Sequence, residues 1–161
     1  MKISVPVLLA ASLLLASPVH SKQHRTATLS GVWAADTSRL PMPPQMRPKS
    51  VTITFANMPD GALSTRVEVV DAAGALSYAQ GTAPLDGTPA PVEGNLEADT
   101  SAATMPAPGV LVMQLSRNGV PGSTRVYTLG EDGESMTETA ANFGDDGRPA
   151  MRIHYFHRVR K

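Results

Sequence analysis

The 161-residue chain contains no cysteine. That excludes disulfides, thiol nucleophiles and thiolate metal ligands, so the fold must be held by its core alone. Aromatic residues amount to 4%, with a single Trp, and the formal net charge is zero. Neither the cationic field nor the stacking surface of a nucleic-acid binder is expected from such a composition. No apolar run reaches the roughly 20 residues of a membrane-spanning helix. There is no G-x-S-x-G elbow, no G-x-G-x-x-G after a strand and no phosphate-cradling P-loop. With those signatures missing, no catalytic residue and no cofactor is expected.

What is present begins with an address. Met1 and Lys2 form a short positive start, residues 3–16 are almost wholly apolar, and Val19 and Ser21 supply small or short residues before a cleavage point. This pattern predicts a signal peptide over residues 1–21, cut after Ser21, and an exported, periplasmic or secreted mature chain. Residues 22–27 are polar and read as a flexible arm, leaving 28–161 as one domain. Acids dominate from Asp86 to Asp146, and the end carries only bases, Arg148, Arg152, Arg158, Arg160 and Lys161. The simplest reading is strand-end charge that keeps sheet edges soluble.

Thirteen glycines and 14 prolines, without period, fit many tight turns between short strands. Turn signals stand at Asp60-Gly61, Ala73-Gly74 and Asp86-Gly87, then at Asn118-Gly119, Asp132-Gly133 and Asp146-Gly147. Positive φ at such turns is tolerated best by Gly, Asn and Asp. Between them lie alternating segments at 28–35, 51–55, 63–70, 76–82, 110–116, 124–129, 136–143 and 151–159. Residues 36–40 suit one helical turn with Asp36 or Ser38 bonding back to the backbone. The proline-rich 41–48 reads as extended loop, and 81–100 as an irregular divide.

Strands of similar length folded back on one another make an antiparallel up-and-down meander. Closure removes its edges, so the expected fold is all-β, a barrel of about eight strands, with a two-sheet β-sandwich as the alternative. The inward row would hold Val51, Ile53, Phe55, Leu63, Val67, Val69, Leu76, Tyr78, Leu111, Met113, Leu115, Tyr127, Leu129, Met136, Met151, Ile153 and Tyr155.

On the first strand, Gly31-x-Trp33 resembles the start of lipocalins. The resemblance implies that Trp33 packs across the closed barrel end, under an arginine that could be Arg152 or Arg158. The chain is similar to a narrower group, small secreted bacterial lipocalin-like proteins of unassigned function. Ser38-Arg39-Leu40, Asp86-Gly87, Pro91-Val92, Gly94-Asn95, Ala98-Asp99-Thr100, and Asp132-Gly133 followed by Met136-Thr137 carry that likeness. Ala90 and Glu93 depart from it, standing where an aromatic and a Thr are common. The resemblance implies a fold and an address, and no reaction.

Metal sites are not expected. His154 and His157 are three apart on a strand, so they face opposite ways. The clusters 131–134 and 145–147 lack calcium-loop spacing and read as hairpin turns. No pair of acids is brought together for hydrolysis. The interior remains, with Phe55, Tyr78, Met113, Tyr127, Met136 and Met151 as candidate lining for a small apolar ligand, methionine being adaptable to irregular guests. A core filled by side chains, meeting envelope protein partners through its surface, is the alternative. A cavity of roughly 300 Å³ or more open at one end favours ligand binding, and a solid core with an exposed apolar patch favours the alternative. A buried pair of ionisable groups in a cleft is the mark of an enzyme.

Overall fold

The structure, a computed structural model, describes residues 28–160 apart from 95 and 145. The expected leader (1–21) and arm (22–27) lie outside the described residues, as do Asn95 and Asp145. Ten strands follow one another: β1 Gly31–Ala35, β2 Ser50–Asn57, β3 Leu63–Val70, β4 Leu76–Ala83, β5 Ala90–Gly94, β6 Thr100–Ala107, β7 Val110–Arg117, β8 Val120–Leu129, β9 Ser135–Phe143 and β10 Pro149–Val159. Each is antiparallel to its neighbours, and β1 pairs with both β2 and β10, closing an up-and-down barrel. No helix among the described residues is long and apolar enough to cross a membrane.

Turn chemistry sets the meander. Asn118 and Gly119 both take positive φ, 53° and 73°, between β7 and β8, which gives the backbone the twist a tight hairpin needs. Asp60, Asp71, Asp132 and Asp146 each accept backbone N–H bonds inside their own turns. Asp36 likewise accepts from the Ser38 N–H at 3.1 Å, capping a one-turn 3₁₀ helix at Thr37–Arg39. A second such turn, Pro44–Met46, interrupts the segment expected to be extended. Pro44 sits at its start, where the missing N–H needs no partner.

The strand count differs from the expected eight because β5 and β6 occupy the region 90–107. Their inward residues include the small Ala90, Ser101 and Ala103, and prolines stand at 91 and 106. Small side chains carry almost no hydrophobic alternation, so the period of two is invisible there.

One barrel end is closed. The fully buried Trp33 donates its indole N–H to the Leu29 carbonyl at 2.8 Å, and Leu29, Phe55, Leu111, Met136 and Phe156 pack with it. Phe55 and Tyr127 meet edge to face, 5.3 Å between centroids. Arg158 is the arginine that covers Trp33. Its guanidinium carbon lies 4.2 Å from the ring centroid, while its nitrogens donate to the carbonyls of Thr28, Ser30 and Gly133 at 2.6, 2.7 and 2.9 Å. A Cβ at Gly31 would stand 2.4 Å from the Arg158 Nη1, so G-x-W here leaves room for the arginine. Arg152, three inward positions away along β10, is exposed and does not share this role.

The last strand faces the other way from expectation. Trp33 pairs with Arg158 and Ala35 with Phe156, and cross-strand partners share a face. The inward row of β10 is therefore Arg152, His154, Phe156 and Arg158. Met151, Ile153 and Tyr155 point out. A shift of one residue exchanges every side chain of a strand between faces.

Candidate functional site

Above the closed end the barrel is hollow. A cavity of about 320 Å³ opens toward the opposite end, bordered by Leu40 and the connection at 96–98. It arises from unequal walls. Val51, Ile53, Val67, Val69, Met113 and Leu115 line it with branched or long aliphatics, whereas β4 and β6 contribute Ala79, Gly81, Ala83, Ser101 and Ala103. Ten strands set a wider bore than eight, and residues this small cannot fill it.

The candidate lining residues divide into three pairs. Met113 and Tyr127 line the cavity. Phe55 and Met136 are buried with the closed-end core rather than on the wall. Tyr78 and Met151 are not inside. Tyr78 pairs with Glu68 and lies under the Arg66 guanidinium, 5.2 Å from the ring centroid, on the outer face of β3 and β4. Met151 is 73% exposed on the outer face of β10. Leu76, placed inward by its apolarity, is also exposed at the start of its strand. Among the described residues no three His, Asp or Glu side chains are grouped to hold a metal ion.

What the sequence reading did not assemble is a charged cluster on the β8–β10 wall. Glu138 has only 2% of its side chain exposed and accepts from Arg125 Nη1 at 2.6 Å. His154 Nδ1 stands 3.6 Å from the second oxygen of Glu138. Tyr127 and His154 flank Glu138 in register on the neighbouring strands, while Arg125 lies one inward position nearer the mouth. Arg125 also pairs through Nη2 with Glu97, which reaches down from the connection between β5 and β6. All five residues border the cavity.

Burial dominates the chemistry of this wall. The Tyr127 phenol is pushed far above its ordinary range, by burial first and then by the Glu138 carboxylate, so it remains a hydrogen-bond donor. Burial opposes the charge on Arg125, but the hydrogen bond to the Tyr127 oxygen and the Glu138 and Glu97 carboxylates together outweigh it and raise its proton affinity. Arg125 is thus a permanent cation in a largely apolar chamber.

A signal for the cluster existed. Arg125 lies two before Tyr127 and Glu138 two after Met136, so strand period alone puts both inside once Tyr127 and Met136 are placed there. Charge argued them outward. Interior ions are admissible when paired, and these are.

The outer wall carries a separate feature. Phe143, Met151 and Ile153, on the outward positions of β9 and β10, are all at least half exposed. The chain matches no known protein family, no curated protein and no solved structure.

Proposed function

We propose that this barrel is a binding protein for a small, largely apolar molecule. The observation that carries the reading is the cavity of about 320 Å³, walled mainly by aliphatic and small side chains and open at one end. That volume lies at the lower end of the range of small-molecule sites, which combine apolar walls with a few placed polar groups. Arg125, Tyr127, Glu138 and His154 supply such groups. The cavity favours this reading over a core filled by side chains, and the outer strip of Phe143, Met151 and Ile153 offers a surface through which a carrier could meet a partner. The leader-like start and the lipocalin-like Gly31-x-Trp33 support placing the carrier in the periplasm or outside the cell.

The test is native mass spectrometry of the mature protein incubated separately with octanol, octanoate and octylamine. A saturable one-to-one adduct with any of them is expected, and Ala103→Leu, which fills the chamber from the β6 wall, should abolish it. Failure of all three to bind, or undiminished binding in Ala103→Leu, overturns the reading.

A further inference from the structure

We infer that the cavity takes a carboxylate-bearing amphipath, whose head displaces the Glu97 side chain from Arg125. This rests on the reading of the chamber as a ligand site and adds the chemistry of the ligand's polar end.

Arg125 holds two carboxylates that differ in kind. Glu138 belongs to the barrel wall, is buried, and supplies the fixed countercharge without which a guanidinium could not stay in the chamber. Glu97 comes from the connection at the mouth and keeps 54% of its side chain exposed. An ion pair with one partner half in water contributes little and is readily exchanged. The carboxylate of Glu97 therefore occupies a position that an incoming carboxylate can take, on the side from which a ligand enters.

The exchange needs no movement of the connection itself. Arg117 donates to the carbonyls of Leu96 and Glu97. Asp99 accepts from the Asn118 N–H at 2.8 Å, and its own N–H donates to the Ser116 carbonyl at 3.0 Å. These bonds hold the backbone while leaving the Glu97 side chain free to swing into water. Leu96 and Ala98, on either side of it, line the cavity and would lie against the ligand's apolar body.

Donor count also favours an anion. The guanidinium has five N–H groups, and it bonds Ser123 Oγ, Glu138, Glu97 and Tyr127. Release of Glu97 frees Nη2 to donate to an incoming carboxylate. Replacing one carboxylate by another keeps the charge of the cluster unchanged. An ammonium head would instead sit beside Arg125 and His154, and a neutral hydroxyl would leave the Glu97 pair in place.

The experiment compares octanoate, octanol and octylamine by calorimetric titration in the wild type, in Glu97→Gln, and in the paired variant Arg125→Gln with Glu138→Gln. Octanoate should bind most tightly to the wild type. Glu97→Gln should tighten octanoate by roughly three- to fivefold, which is what removing a half-exposed competing ion pair is worth, and leave octanol unchanged. The paired variant should lose the preference for octanoate. Octanol or octylamine binding as well as octanoate to the wild type, or octanoate affinity unmoved by Glu97→Gln, overturns this inference while the ligand-site reading stands. Absence of binding by all three overturns both.

Discussion

Replacing Arg125 by Gln isolates Glu138 inside the barrel, and the consequences can be worked through. Glu138 has 2% of its side chain exposed and makes a short ion pair with Arg125; His154 is 3.6 Å away. Breaking a buried pair by removing one partner costs about 3–5 kcal/mol. The expected loss is therefore about 3–5 kcal/mol, or roughly 2 M in urea midpoint for a slope of about 2 kcal/mol/M. Glu138→Gln should cost less, about 1–2 kcal/mol, since Arg125 retains Glu97 and is 23% exposed to water. The double variant removes both charges and should be more stable than Arg125→Gln alone. Urea titrations of the four proteins measure all of this. Additive losses in the double variant would refute the claim that the two groups form one buried unit.

Other expectations are open to the same methods. Trp33→Ala removes the largest buried side chain at the closed end and should cost about 3–5 kcal/mol; a wild-type melting curve would show that the plug is not where the stability lies. Ala103→Leu adds apolar atoms to an existing void, so its stability should change by less than about 1.5 kcal/mol while ligand uptake is lost. A large loss of stability would mean that no usable space exists there. Asp132, held below the usual carboxylate range by the Ser135 and Glu134 N–H groups, belongs with Asp36, Asp71, Asp86 and Asp99, whose acidity is likewise raised by hydrogen bonds they accept. Their contribution is complete above the ordinary value of 3.8 and is lost as pH falls through the lower folded values. Asp132→Asn should flatten the acid limb of stability against pH, and an unchanged limb would count against these turns as its source.

How far the fold was legible depended on which residues carried the signal. The five Asp-Gly and Asn-Gly pairs and Ala73-Gly74 specify their own backbone, so six of the bends could be placed from sequence; five are turns between consecutive strands, and Asp86-Gly87 lies in the β4–β5 connection, where Asp86 bridges to Thr104 of β6. Val51, Ile53 and Phe55 alternate with threonines and declared β2 and its face. Ser101 and Ala103 are inward too, but nothing in their size separates them from Ala102 on the opposite face, and β6 went unseen. On β10 the apolar residues Met151, Ile153 and Tyr155 are on the outer face, and the polar His154 and Arg158 are on the inner one. A rule that sends apolar groups inward fails where the interior itself is charged. The cluster failed to register for the same reason. Arg125, Glu138 and His154 each look like surface residues singly, and only the register of three adjacent strands makes them neighbours.

One feature of the ring bears on timing. β5 is joined to β4 through residues 79–81 and 92–94, and to β6 through the short run of Ala90 with Ser101, Pro91 with Thr100 and the Val92 N–H on the Asp99 carbonyl at 2.8 Å. Neighbouring ladders such as β3 with β4 run the length of the strand. A closed barrel has no free edge, so the opening that comes most readily is the parting of its thinnest seam, and this seam ends beside the mouth at 96–98. Amides of 90–101 should exchange with solvent ahead of those in the longer ladders. Guest entry would then be paced by the frequency with which the wall gapes, and a staple across β5 and β6 would lengthen residence without altering a single contact to the guest.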